Sequence, residues 1–137
     1  MATFPAPTEG IALTHFIVAR DIARSRRFYV DVLGGEPLLE GDPTIVALGS
    51  GWVTISVGGG PTDDKPGVTL EPPSDLEHVS GFLNIRVADM RAVYDEWRGR
   101  GATFLTPPID RGVELRCYMR DPDGHLIEVG QTTAWRS

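Results

Sequence analysis

The chain has one cysteine, no long apolar run and no excess of basic charge. The single Cys117 excludes an internal disulfide and fits a reducing cytoplasm. No apolar stretch approaches the ~20 residues that a membrane-spanning helix needs, and Met1–Gly10 lack the basic start and apolar run of a signal peptide. The net charge of −6 disfavours nucleic acid, because phosphates would be repelled. We therefore expect a cytoplasmic protein that binds neither nucleic acid nor membranes.

The length of 137 residues suits one domain, and the sequence pattern divides that domain into two modules. We predict an N-terminal arm at 1–10, a first module at about 11–57 and a second at about 81–132. A tail follows at 133–137. The connection at 58–80 is rich in Gly, Pro and Asp, and we expect it to join the modules and partly cover a ligand cavity.

The first module begins with the apolar run IALTHFIVA at Ile11–Ala19, which predicts a strand buried on both faces. Asp21 is a typical helix cap, and the helix is predicted over Ile22–Leu33, where Gly34 and Gly35 end it. Turn residues then separate three predicted strands, which are Glu36–Glu40, Thr44–Leu48 and Trp52–Val57.

The second module repeats this order. A strand at Gly81–Ala88 leads to Asp89, which caps a helix with apolar residues spaced as on one helical face: Met90, Val93, Tyr94 and Trp97. Aligning Asp21 with Asp89 gives an offset of 68 residues. Such a repeat predicts a duplicated unit whose halves pack together. The remaining strands are predicted at Thr103–Leu105, Glu114–Met119 and His125–Gln131.

The segment Asp121-Pro122-Asp123-Gly124 predicts a type I turn with a left-handed glycine. A three-residue loop pairs positions whose numbers sum to 246, so that Glu128 lies opposite Tyr118, with Arg116 on the same face. A four-residue loop would instead place Cys117 opposite Glu128.

Two motifs resemble those of a known family. The segments THFIVARDIARSRRFYVDVLGG (Thr14–Gly35) and RDPDGHLIEVGQ (Arg120–Gln131) resemble the opening and closing signatures of the vicinal oxygen chelate superfamily. That group includes glyoxalase I, bleomycin-resistance proteins, ring-cleaving dioxygenases and fosfomycin-resistance enzymes. The resemblance implies an α+β fold, in which two tandem βαβββ modules form a curved mixed sheet around a ligand cavity with the helices outside. It also implies a small organic ligand and a homodimer.

The resemblance makes Glu128 a metal ligand, and the ion would be divalent, such as Zn, Ni, Mn or Fe. Glu128 would otherwise move a proton itself, form a salt bridge with Arg116 or lie at an edge in water. His15 is the second predicted ligand, although it lies six residues before Asp21 and the family ligand lies seven before, at Thr14. Without a bulge, this offset sends His15 under the helix.

The other two ligand positions of the family carry no strong ligand in this sequence. They fall on Phe82 or Leu83 and among Thr54, Ile55 and Ser56. His78 is a possible substitute, and its alternative role is that of an exposed loop residue.

The predicted ligand cavity has a mixed lining. Phe82, Asn84 and Arg86 share one face of the fifth strand, and an aromatic ring among polar groups is typical of such a cavity. Further predicted lining residues are Arg116, Tyr118 and Trp52. Two functions fit these residues. One is an enzyme of the glyoxalase or dioxygenase type, with Glu128 catalytic and a substrate with adjacent oxygens. The other is a metal-free protein that binds a drug or metabolite, as in bleomycin resistance.

Overall fold

The computed structural model describes residues 3–134, and the chain divides into two compact units, Met1–Ser74 and Asp75–Ser137. Each unit has the order βαβββ, so the predicted α+β fold with two tandem modules is confirmed. Part of the predicted N-terminal arm (residues 1 and 2) and part of the predicted tail (residues 135–137) lie outside the described residues.

The two units share one sheet topology. The first contains β1 (Thr14–Val18), α1 (Ile22–Arg27), β2 (Glu36–Leu39), β3 (Thr44–Leu48) and β4 (Gly51–Ser56), and α1 continues as a π-helical turn over Phe28–Val32. The second contains β5 (Leu83–Arg86), α2 (Met90–Gly99), β6 (Ile109–Asp110), β7 (Glu114–Arg120) and β8 (Leu126–Thr132). The strand orders are β1-β4-β3-β2 and β5-β8-β7-β6. In each sheet the first strand is parallel to the last, and the other pairs are antiparallel.

The predicted aspartate caps begin both helices. Asp21 accepts a hydrogen bond from the backbone N–H of Arg24, and Asp89 accepts one from that of Ala92, each at 3.1 Å. Both aspartates have extended backbone with φ of −137°. A carboxylate at this position binds one of the N–H groups that the first helical turn leaves unpaired. Asp21 and Asp89, which are 68 residues apart, therefore have the same backbone conformation and make the same capping hydrogen bond.

One face of each sheet is covered by its own helix. In the first unit α1 packs against β3 and β4, and Gly35 lies so close to Val46 that a Cβ there would be 2.4 Å from Val46 Cγ1. In the second unit Gln131 Oε1 accepts a hydrogen bond of 2.8 Å from the backbone N–H of Met90, which ties β8 to the start of α2. The core lies between each helix and this face, because alternate side chains point to it.

The first predicted strand is shorter and less buried than expected. It begins at Thr14 rather than Ile11, and Phe16 is 48% exposed. The prediction of burial on both faces therefore holds only at the end of the strand, where Ile17 and Val18 are buried, and was wrong at Phe16. Helix α1 covers only the face that carries Ile17, and Phe16 lies on the opposite one.

The predicted strand at Thr103–Leu105 was also wrong. Only an isolated bridge from Phe104 to Met119 forms there, and the second strand of the second unit is β6 (Ile109–Asp110). Pro107 and Pro108 separate the two segments. Proline has no N–H to donate to a ladder, so continuous pairing through this stretch is impossible.

Across residues 3–134, none of the helices has the length and apolar character that spanning a bilayer requires.

Replacing Asp89 with alanine should lower the free energy of unfolding by about 1 kcal/mol, because the N–H of Ala92 loses its acceptor. Urea denaturation measures the change. Asp95, exposed within α2, provides the control. Asp95→Ala should leave the unfolding free energy unchanged or slightly higher, and an equal loss in both variants would contradict the capping role.

Cys117 should make stability depend on pH in alkaline solution. Burial raises the pKa of its thiol from 9.0 to about 11. Because the folded-state pKa is the higher one, the stabilisation is complete below pH 9.0 and is lost as the pH rises through about 11. Over this window the unfolding free energy should fall on the order of 2 kcal/mol more than in Cys117→Ala. Parallel pH profiles for the two proteins would contradict the prediction.

Candidate functional site

The turn between β7 and β8 fixes which side chains meet. Gly124 has φ of +94°, and its N–H donates to the Asp121 carbonyl at 3.0 Å. Tyr118 pairs with Glu128, as the sum of 246 predicts. The three-residue loop is therefore confirmed, and the alternative that placed Cys117 opposite Glu128 was wrong.

Glu128 is a buried carboxylate with two protein donors. Its neighbours Ile127 and Val129 fill the core beneath α2, so Glu128 lies on the face opposite the helix, where it is 7% exposed. The Tyr118 hydroxyl donates to Oε2 at 2.7 Å, and Arg86 Nη1 donates to Oε1 at 3.3 Å. A charge removed from water needs such partners. The proposed salt bridge to Arg116 was wrong, because Arg86 is the ionic partner.

Arg86 links two carboxylates. Besides Glu128, its Nη1 donates to Glu114 Oε1 at 3.0 Å, and its Nη2 donates to Thr132 Oγ1 at 3.0 Å. The guanidinium lies directly against Gly130, where an added Cβ would be 2.2 Å from Nη1. Any other residue at 130 would therefore exclude the guanidinium from this position.

Aromatic rings flank the charged groups. Phe82 and Tyr118 form an edge-to-face pair with centroids 5.7 Å apart, and the guanidinium of Arg116 is 5.8 Å from the Tyr118 centroid. Asn84 is the register partner of Glu128 on β5. The structure thus brings six predicted residues onto one face of the second sheet, which we call the Glu128 face: Phe82, Asn84, Arg86, Arg116, Tyr118 and Glu128.

The Tyr118 hydroxyl holds its proton tightly. Its hydrogen bond to Glu128 raises the pKa of Tyr118 above the ordinary value of 10.0, and partial burial and the charge of Glu128 act in the same direction. The phenolate would lie against a carboxylate and lose the bond. Tyr118 is therefore a donor on this face.

His15 and Trp52 belong to the first unit. The register of β1 with β4 is continuous without a bulge, and His15 pairs with Val53 in the row of side chains that faces α1. The alternative that placed His15 under the helix is therefore the observed one, and its role as a metal ligand stays a prediction. Trp52 lies on the other face, and its indole Nε1 donates to the Thr3 carbonyl at 2.6 Å.

The donors near Glu128 do not fit a divalent metal. Catalytic zinc sites commonly have three protein ligands, whereas the carboxylates of Glu128 and Glu114 are both bound by Arg86. Within 3–134, no group of three or more His, Cys, Asp or Glu residues could hold a metal ion. His78, the predicted substitute, is an exposed loop residue whose Nδ1 lies 2.8 Å from Asp75 Oδ2.

Sequence reasoning missed three residues of this network: Glu114, Gly130 and Thr132. The signal that could have found them was present, because the sum of 246 pairs Glu114 with Thr132 and Arg116 with Gly130. Alternation along both strands then places all of them on the Glu128 face.

Comparisons with known proteins agree with this architecture. A probable lactoylglutathione lyase from Synechocystis sp. is 28% identical over 122 residues, which cover 83% of this chain and 89% of the relative. A glyoxalase/bleomycin resistance protein/dioxygenase from Alicyclobacillus acidocaldarius has a TM-score of 0.71 at 16% identity, covering 97% of this chain and 96% of its own. TnmS3, an antibiotic binding protein from Streptomyces sp. CB03234, has a TM-score of 0.66 at 17% identity. The match covers 93% of this chain and 100% of TnmS3.

The two solved structures share the fold of this chain. Residues 11–129 match the family model described as Glyoxalase/Bleomycin resistance protein/Dioxygenase superfamily. This match covers the first βαβββ module and the second as far as Val129 in β8, and it includes Glu128 in the closing motif. The chain therefore belongs to the Glyoxalase/Bleomycin resistance protein/Dioxygenase superfamily.

Proposed function

We propose that this protein binds a small organic molecule on the Glu128 face without a divalent metal. The observation that carries the proposal is the pairing of Glu128 with Arg86. The carboxylate that the family resemblance assigns to a metal has a cation supplied by the chain itself. A guanidinium is always charged and binds carboxylates through directional N–H groups, so Glu128 is neutralised without an ion from solution.

The charges on this face balance. Glu128, Arg86, Glu114 and Arg116 alternate in sign, and each is within ion-pair distance of the next. Two negative and two positive groups leave no net charge to attract a metal. The rings of Phe82 and Tyr118 supply apolar contact beside these polar groups, a combination typical of sites for small organic ligands. A fold-level analogy agrees, since TnmS3 is named an antibiotic binding protein.

A second candidate function is catalysis, and two observations favour it. The Synechocystis relative is named a probable lactoylglutathione lyase, and within residues 3–134 the one hydrogen-bond donor to Glu128 Oε1 is Arg86 Nη1, at a long distance of 3.3 Å. In that role Glu128 would take a proton from the substrate and return it. Glu128→Gln should then abolish turnover, whereas binding alone should survive the change within a few-fold.

Ligand binding should be visible on the full chain by NMR. A panel of naphthalene, quinone and indole compounds, added to chelator-treated ¹⁵N-labelled protein, should shift the amide signals of Phe82, Asn84 and Tyr118. Phe82→Ala should weaken binding about tenfold by removing ring contact. Phe104→Ala is the matched control, since Phe104 belongs to the same unit and its ring packs on Tyr94 of α2, with centroids 4.7 Å apart.

Whether binding needs a divalent metal can be tested on the same protein by elemental analysis and by adding metal ions. Protein purified without chelator should contain no stoichiometric divalent metal by elemental analysis, and added Zn²⁺, Ni²⁺, Mn²⁺ or Fe²⁺ should not change the affinities. Loss of binding with chelator and its recovery with one of these ions would contradict metal-independent binding.

Glu128→Gln should lower the pKa of Tyr118 towards 10.0, because the raised value depends first on the hydrogen bond to the carboxylate. The NMR signal of ¹³Cζ-labelled tyrosine reports the titration, and Tyr118→Phe assigns the signal. Glu71→Gln, which removes the charge of an exposed glutamate in the first unit, is the control. An unchanged Tyr118 titration in Glu128→Gln would contradict the contact.

A further inference from the structure

Three arginines of the second sheet differ in how their guanidinium groups are used. Arg86 is bound by Glu128, Glu114 and Thr132. Arg120, at the end of β7, donates to the Gly124 carbonyl at 3.0 Å and to the Leu76 carbonyl at 2.7 Å. Arg116 has no hydrogen-bond acceptor within the part of the chain that the structure describes, and its nearest acidic oxygen is Glu114 Oε2 at 3.6 Å.

Arg116 is held in a partly buried position, although its N–H groups lack an acceptor within the described residues. Only 31% of its side chain is exposed, and its guanidinium stands over the Tyr118 ring. The ring holds the group through a cation–π contact but accepts none of its N–H bonds in the guanidinium plane. The planar guanidinium of Arg116 is therefore held beside the aromatic rings. Its N–H groups can donate to an acceptor on a bound ligand.

Glu114 cannot accept two hydrogen bonds from Arg116 without losing its contact with Arg86. Its Oε1 is held by Arg86 at 3.0 Å, so turning both oxygens towards Arg116 would break that contact. Two parallel N–H···O bonds are the geometry that a guanidinium favours with a carboxylate. The fork of Arg116, whose nearest carboxylate oxygen is 3.6 Å away, therefore matches the carboxylate of a ligand.

The neighbouring charges and rings narrow the ligand class. Arg116 offers one positive charge beside Glu114 and Glu128, so the second charge of a dianion such as a phosphate monoester would be unmatched close to both carboxylates. Phe82 is 42% exposed and packs edge-to-face on Tyr118, so an aromatic body has a ring to contact. We infer that Arg116 recognises the carboxylate of an aromatic monocarboxylate, an inference that rests on the proposed binding function of the Glu128 face.

The test compares two probes of the same shape, 2-naphthoate and its neutral amide, 2-naphthamide, by calorimetry and NMR on the full chain. Wild-type protein should bind the naphthoate at least about tenfold more tightly, as expected for hydrogen bonds between charged groups. Arg116→Gln should abolish this preference. Arg116→Lys keeps the charge but not the fork, and should retain only part of it.

The control variant is Arg91→Gln, which removes one positive charge from an exposed position of α2. It should leave the preference for naphthoate intact. Equal losses in Arg91→Gln and Arg116→Gln would show a general charge effect and overturn the inference.

The remaining outcomes separate this inference from the proposed function. Equal binding of the two probes, with shifts at Phe82 and Tyr118, would overturn the role of Arg116 and leave aromatic binding supported. Binding of neither probe would also overturn the inference, and the wider panel of aromatic compounds then decides the proposed function. Thermal unfolding of each variant verifies that Arg116→Gln is folded.

Discussion

The arrangement of the second unit depends on one constraint, a carboxylate buried in a strand between two core residues. Removing a charged group from water costs several kcal/mol unless it gains partners. Tyr118 and Arg86 supply those partners for Glu128, one at each oxygen. The register of β7 with β8, set by the turn between them, places Gly130 and Glu114 where they lie against the guanidinium beside that carboxylate.

A guanidinium and a metal ion differ as partners of a carboxylate. A divalent ion polarises ligand oxygens and leaves with chelators, whereas Arg86 is covalently part of the chain and offers only N–H donors in a plane. A fold shared with isomerases, dioxygenases and drug-binding proteins does not decide between these chemistries. The metal-free binding proposed above rests instead on the side chains around Glu128, which offer hydrogen-bond donors and aromatic rings.

Much of the fold could be predicted because its signals are local. The aspartate caps and the turn at Asp121–Gly124 depend on residues a few positions apart, and the turn then fixed the pairing of Glu128 with Tyr118. The repeat was visible because the same local pattern occurs twice, 68 residues apart. The partner of Glu128 could not be predicted in this way. Arg86 lies 42 residues away in sequence, and alternation alone does not show which of two arginines on the face reaches the carboxylate.

The bare backbone at Gly130 gives the guanidinium of Arg86 room to lie flat against β8. A β-carbon there would be 2.2 Å from Nη1, so the guanidinium would have to move away from the strand. The ladder bonds of β8 use only backbone atoms and would be unaffected by the change. A single substitution at 130 would therefore change the packing of Arg86 on β8 and leave the pairing of the strands in place.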